Sequence, residues 1–223
     1  MRSADYVTVD NIEEKAQLWV NTVRETVPFR SDLILNPPKC ALLVIDMLRY
    51  FAHQDGRSFL PASAAIISNI KLLINAWRQG GGPVVFTRHC HKGADDLGML
   101  GKFFTDYIKR DELDSLIIDD LLPEQGESVF EKITYDAFIG TNLLPFLKDR
   151  QVEQVLITGV LTHMCCETTA RSAFCRGFEV YVSADGTASS TESLHLSSLI
   201  GMASCVAVVH KTDEILSICD PQK

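Results

Sequence analysis

Residues able to move protons or attack a carbonyl stand directly after apolar runs at several places in this chain. Asp46 follows Cys40–Ile45, Lys132 follows Val129–Glu131, and Cys165 lies just past the run Val152–Thr158. A carboxylate at the end of a buried strand is partly desolvated. That raises its pKa and suits it to act as a general base. A solvated loop carboxylate or a helix cap accounts for Asp46 from position alone. Lys132 is by the same measure a surface charge, unless it points into the crevice that holds Asp46 and Cys165. There its ammonium stabilises both a carboxylate and a thiolate.

The segment Gly159–Ala170 carries the most information. A strand runs into a tight turn and a helix begins near His163, with Thr162 as the expected N-cap. Cys165 then falls in the first helical turn, where unpaired N–H groups and the positive end of the helix dipole favour a thiolate. The same N–H groups are able to hold an oxyanion. Cys166, Ala170, Ala173 and Phe174 have the spacing of a buried stripe. Cys165 lies ~100° round the helix from it, free to face a pocket. A packed thiol with no chemistry is the competing reading.

Arg88, His89, Cys90 and His91 follow the run Val84–Thr87. H-x-H spacing on extended chain puts both imidazoles on one side. A metal needs further ligands of suitable type. Asp95 and Asp96 are near in sequence, but no metal is expected, and His89 reads as a substrate contact. Arg88 is suited to bidentate pairing with a substrate carboxylate. Tyr50 and Phe51 after Asp46, and Tyr135 and Phe138 after Lys132, would give a pocket an apolar wall, or would simply pack in the core.

These groups are positioned by alternating elements. Helical spacing predicts helices over Asn11–Thr26, Ala62–Gln79, Thr141–Lys148 (opened by Thr141), His163–Arg176, Thr191–Ala203 and Thr212–Ile218. Short apolar runs predict strands at Cys40–Ile45, Val84–Thr87, Ser128–Glu131, Val152–Thr158, Phe178–Ser183 and Cys205–Val209. Met99–Arg110 reads as helical or irregular. Continuous apolar runs separated by helices indicate an α/β fold with a largely parallel sheet. Ligands bind beyond the carboxyl ends of such strands, where the residues above stand. Residues 1–38, polar and ending at Pro37-Pro38, read as an N-terminal extension packed on one domain spanning 39–223.

Composition limits the function. The chain has 223 residues, 46% hydrophobic and 22% charged, as in ordinary globular proteins. Its formal net charge of −8 argues against nucleic-acid or anionic-membrane partners. The first twenty residues are too charged for a secretory signal, no apolar run would span a bilayer, and a cytoplasmic location is expected. Seven cysteines without a C-x-x-C pair argue against a thiol redox protein. No G-x-G-x-x-G follows the first strand, against a dinucleotide-binding domain.

Asp46 after its strand, Lys132 in Glu131–Phe138, and Thr-Gly-Val-x-Thr-x-x-Cys at Thr158–Cys165 together resemble the isochorismatase-like cysteine hydrolase superfamily. The resemblance covers roughly residues 38–210. It implies a three-layer α/β/α sandwich, Rossmann-like, around a six-stranded, mainly parallel sheet. It also implies an Asp46–Lys132–Cys165 triad and a cis peptide before Leu161. The backbone N–H groups of Leu161 and Cys165 would form the oxyanion hole. No cofactor is implied, and a homodimer or homotetramer is. The implied reaction is cleavage of a C–N bond in a small amide, ureido or carbamoyl compound through a thioester. Nicotinamidases place an Asp-x-His metal pair where this chain has His89-x-His91, so neither the metal nor nicotinamide is expected. Tyr135–Phe138 and His163 also resemble true isochorismatases, which cleave a vinyl ether and carry glycine at the position of Cys165. Vinyl ether hydrolysis without a covalent step therefore stands as the alternative, and a non-catalytic binding module as a third reading.

Overall fold

The computed structural model describes residues 5–28, 30 and 32–219. Residues 1–4, 29 and 31 of the expected extension, and 220–223 at the other end, lie outside the described residues. The described chain runs α1 (Ile12–Thr26), β1 (Cys40–Ile45), α2 (Arg49–Ala52), α3 (Pro61–Gly80), β2 (Val84–His89), α4 (Leu100–Phe103), β3 (Ser128–Lys132), α5 (Leu143–Asp149), β4 (Gln154–Val160), α6 (Glu167–Cys175), β5 (Glu179–Ala188), α7 (Glu192–Cys205), β6 (Val208–His210) and α8 (Thr212–Cys219).

The six strands form one sheet in the order β3–β2–β1–β4–β5–β6, and every pairing is parallel. All six residues of β1 and all seven of β4 are buried, as strands covered on both faces must be. From β1 the chain winds outward through β2 to β3, returns to β4, and winds the other way to β6. Right-handed crossovers in opposite directions place helices on opposite faces. Accordingly α3 packs with α8, while α7 packs with both α6 and α1. This is a three-layer α/β/α sandwich. Its topological switch point lies between β1 and β4, where such sheets bind ligands. Among the described residues no helix is long and apolar enough to cross a membrane.

One glycine is required at that switch point. Gly159 has φ +102°, and a Cβ there would meet the Ile45 carbonyl oxygen at 2.0 Å. Only a residue without a side chain lets the end of β4 lie this close to the end of β1. The Val160–Leu161 peptide that follows is cis.

Several boundaries differ from the sequence reading. β2 extends to His89 because Arg88 and His89 pair with Glu131 and Lys132 of β3. β5 runs to Ala188 rather than stopping at Ser183, and Cys205 closes α7 instead of opening a strand. Thr141 stands one residue before the cap of α5, yet its Oγ1 accepts from Leu143 N at 3.2 Å. Phe174 is half exposed, and the buried positions of α6 are Thr169, Ala170 and Ala173. α1 lies against α7 and β5, with Trp19 Nε1 donating to Glu192 Oε1 at 2.8 Å.

Candidate active site

The carboxyl ends of β1, β2, β3 and β4 bring Asp46, His89, Lys132 and Cys165 to one point. Asp46 takes a left-handed backbone (φ 49°), which Asp tolerates, and its amide donates to Thr87 Oγ1 at 3.1 Å. The Thr87 hydroxyl in turn donates to Asp46 Oδ1 at 2.6 Å. Lys132 Nζ lies 2.7 Å from Asp46 Oδ2, and neither side chain touches solvent. This contact is an ion pair rather than a well-directed hydrogen bond, and Oδ2 accepts no directed hydrogen bond among the described residues. Nζ also donates to Cys165 Sγ at 3.3 Å and to the Thr134 carbonyl at 3.0 Å. Ligand atoms of Asp46, His89 and Cys165 lie within 4.8 Å of one another.

Burial raises the Asp46 carboxyl, as expected from its position. The Lys132 ammonium and the Thr87 hydroxyl outweigh burial and hold it below its ordinary value. Burial depresses Lys132, but Asp46 and Cys165 hold it above the ordinary lysine range. Burial pushes His89 down to about 3, and the Lys132 charge adds to that, so the imidazole is neutral. Cys165 corrects the sequence reading. Burial and the Asp46 charge outweigh Lys132 and push the thiol up to about 12. The resting site therefore holds a carboxylate, an ammonium and an undissociated thiol.

The local backbone also departs from the expected helix start. Cys165 is not in the first turn of an α-helix. Thr162–Cys166 forms a π-helical turn, and α6 begins after it. Thr162 is no cap either: Leu161 holds that place, and Thr162 Oγ1 is paired with His195 Nδ1 at 2.8 Å.

A cavity of about 200 Å³ opens above these groups. Its walls are Tyr50, Phe51, Leu97, Leu100, Phe104, Tyr107, Ile108, Tyr135, Leu161 and Met164, with Cys165, His89, His91, Ser58 and Asp106 as polar members. Of the residues read as substrate contacts, Tyr50, Phe51, His89 and Tyr135 line this cavity, as does Leu161, whose N–H was assigned to the oxyanion hole. Three others do not. Arg88 alternates with His89 along β2, so its side chain turns to the opposite face of the strand. There it donates to the Arg110 carbonyl at 2.8 Å and pairs with Glu131 at 3.2 Å. Phe138 is buried against Phe178, with Arg176 over its ring. His163 Nδ1 is bonded to Ser189 Oγ, away from the cavity. Thr87 has no role assigned from the sequence, and Leu97–Ile108 reads there only as part of an irregular segment with none of its wall residues singled out. The alternation that exposes His89 also points Thr87 at Asp46, a signal present in the sequence. The wall residues follow no period.

His89 and His91 do lie on one side, Nε2 to Nε2 at 3.0 Å. A cation held by Asp46, His89 and Cys165 would share its space with the Lys132 ammonium, so this donor set does not fit a metal ion.

The isochorismatase domain model matches residues 40–214. Nicotinamidase 3 of Arabidopsis thaliana is 38% identical over 81% of this chain and 88% of that protein. The N-carbamoylsarcosine amidase of an Arthrobacter species is 31% identical over 62% of this chain and 55% of that protein. A cysteine hydrolase from Pseudomonas syringae pv. phaseolicola 1448A superposes with a TM-score of 0.82 at 25% identity, over 87% of this chain and 98% of that one.

Proposed function

The chain belongs to the isochorismatase family of hydrolases, and we propose that within it this enzyme hydrolyses the C–N bond of a small, uncharged, ring-bearing carboxamide, with Cys165 as nucleophile. The observation that carries the reading is a thiol touching a buried Lys–Asp ion pair at the floor of an apolar cavity.

Asp46 takes the Sγ proton as the sulfur attacks the amide carbonyl, so the thiolate forms only as the new C–S bond forms. Lys132 offsets charge on carboxylate and sulfur alike. The oxyanion is directed to the backbone N–H groups of Leu161 and Cys165. The C–N bond breaks as Asp46 returns the proton to the nitrogen, releasing ammonia or an amine and leaving a thioester. Water then gives a proton to Asp46 and attacks that thioester. The acid leaves and the proton returns to sulfur.

The walls argue for the substrate class. Among the described residues lining the cavity there is no Arg or Lys, and the polar members include the Asp106 carboxylate. A substrate carboxylate would lose its hydration without a cation to replace it. A cavity of roughly 150 Å³ accommodates a benzene ring, so one ring and an amide fill this one. The same observation disfavours the vinyl ether reading, because isochorismate carries two carboxylates.

The test compares an aromatic carboxamide with its analogue bearing an added ring carboxylate. The neutral amide should have a kcat/KM at least 100-fold higher, and acid quenching during turnover should leave its acyl group on Cys165 by mass spectrometry. Preference for the carboxylated compound would overturn the substrate class. Hydrolysis that survives in Cys165→Ala would overturn the covalent mechanism.

A further inference from the structure

The reaction above uses one side of Lys132. On its other side a chain of polar groups runs outward to the surface. Lys132 Nζ is 3.4 Å from His89 Nδ1, His89 Nε2 is 3.0 Å from His91 Nε2, and His91 Nδ1 is 3.0 Å from Asp96 Oδ1. Asp96 Oδ2 accepts the Lys92 amide at 2.9 Å. His91 is 2% exposed, and its backbone is pinned on both sides, N–H to the Ile108 carbonyl and carbonyl to the Arg110 amide, each at 2.8 Å.

Donors and acceptors along this chain admit one self-consistent arrangement. A neutral imidazole has one N–H and one lone pair, and an ionised carboxylate only accepts. Burial raises the Asp96 carboxyl, but the Lys92 amide and His91 hold it below its ordinary value, so it is ionised. His91 must then carry its proton on Nδ1 and accept at Nε2. His89 must carry its proton on Nε2, which leaves its Nδ1 lone pair facing the Lys132 ammonium. In the other tautomer an N–H would point at that ammonium and push it from its seat.

We propose that His91 and Asp96 are positioning residues: through the tautomer of His89 they keep the Lys132 ammonium seated between Asp46 and Cys165. The consequence for rate rests on the amide-hydrolysis reading; the tautomer does not. A side chain on the surface turn 94–96 thereby governs a proton position in the buried site.

Long-range ¹H–¹⁵N correlation spectra of the full chain labelled with ¹⁵N-histidine read the tautomer directly, with His89 assigned by its loss in His89→Asn. Wild type should show His89 protonated on Nε2. Asp96→Ala and His91→Phe should move His89 toward the Nδ1–H form. Both should lower kcat for the aromatic amide about tenfold, and Asp96→Ala, which leaves the cavity lining intact, should do so with KM within twofold. His91→Gln, whose Oε1 can accept from His89 Nε2–H, should restore both readouts. An Nδ1–H form in wild type, or a His89 spectrum unmoved by both variants, would overturn the proposal. If the tautomer moves but no amide is ever turned over, the positioning stands and the proposed reaction falls.

Discussion

The floor and the roof of the cavity are built on opposite principles. Asp46, Lys132 and Cys165 are buried at strand ends or one short turn beyond them, and sheet register fixes where their backbones lie. The roof, Leu97–Ile108, belongs to no sheet. Besides the His91 amide on the Ile108 carbonyl and the Tyr50 hydroxyl on Asp106, what ties its end down is one partly exposed side chain. Arg57 pairs with Asp106 at 3.1 Å, Glu112 at 2.6 Å and Asp114 at 2.9 Å, donates to the Tyr107 carbonyl at 3.0 Å, and lies over the Tyr50 ring. The floor therefore rests on backbone that cannot shift without unpairing a sheet, and the end of the roof rests on a clasp that faces water. Under the proposed function the first sets the chemistry and the second the selectivity.

The largest effects should follow from breaking the floor. Asp46→Asn and Lys132→Met each strand one charge of a fully buried pair, and each should cost about 3–5 kcal/mol of stability. The double variant, which buries no charge, should recover most of that loss while its amide hydrolysis stays at least 100-fold down. Chemical denaturation of all four proteins beside one activity assay checks this. The pH dependence carries a further sign. Asp46 is held below its ordinary value, so its contribution is present above ~3.9 and is lost as pH falls through the lower folded value. Lys132 is held above its ordinary value, so its contribution is present below ~10.4 and is lost as pH rises through the higher folded value. Both slopes should be absent from the double variant. A double variant as unstable as the singles would mean that the pair is not what makes the singles costly.

Loosening the roof should act on binding instead. Arg57→Met keeps the stem over Tyr50 but removes the ion pairs. KM for the neutral amide should rise about tenfold and kcat should stay within threefold, because no floor group moves. Its stability should change by about 1 kcal/mol or less, since partly exposed ion pairs contribute little each. Steady-state kinetics and a denaturation curve decide the matter. A fall in kcat with KM unchanged would mean that the roof takes part in the chemistry and that the division drawn above is wrong.

The same division explains what could be read from the sequence. The sheet and the position of Asp46 follow from Cys40–Ile45, because a strand buried on both faces leaves a continuous apolar run and the first polar residue marks its end. Lys132 and Cys165 were readable as positions after strands. The state of the thiol was not. A helix-terminus argument for a thiolate needs an α-helix starting at His163, whereas a π-helical turn intervenes and burial dominates. The roof reads only as an irregular segment, without its wall residues, because Leu97–Ile108 has no period and Arg57 lies 49 positions before the Asp106 it holds. Asp96 reads as a loop carboxylate until its hydrogen bond to a buried imidazole is seen.

The smallest effect belongs to Arg88, and it tests the alternation rule itself. Its neighbours Thr87 and His89 both face the floor, so sequence proximity alone would make it a substrate ligand. Strand geometry sends it to the other face, onto Glu131 and the Arg110 carbonyl. Arg110 also pairs with Glu131, so the acid keeps a partner when Arg88 is removed. Arg88→Met should leave kcat/KM for the neutral amide within about twofold, with no selective loss for carboxylated analogues. A tenfold or larger loss confined to those analogues would place Arg88 in the cavity. That result would reverse the choice of an uncharged substrate, because the choice depends on the walls carrying no cation beyond the Lys132 ammonium already paired with Asp46.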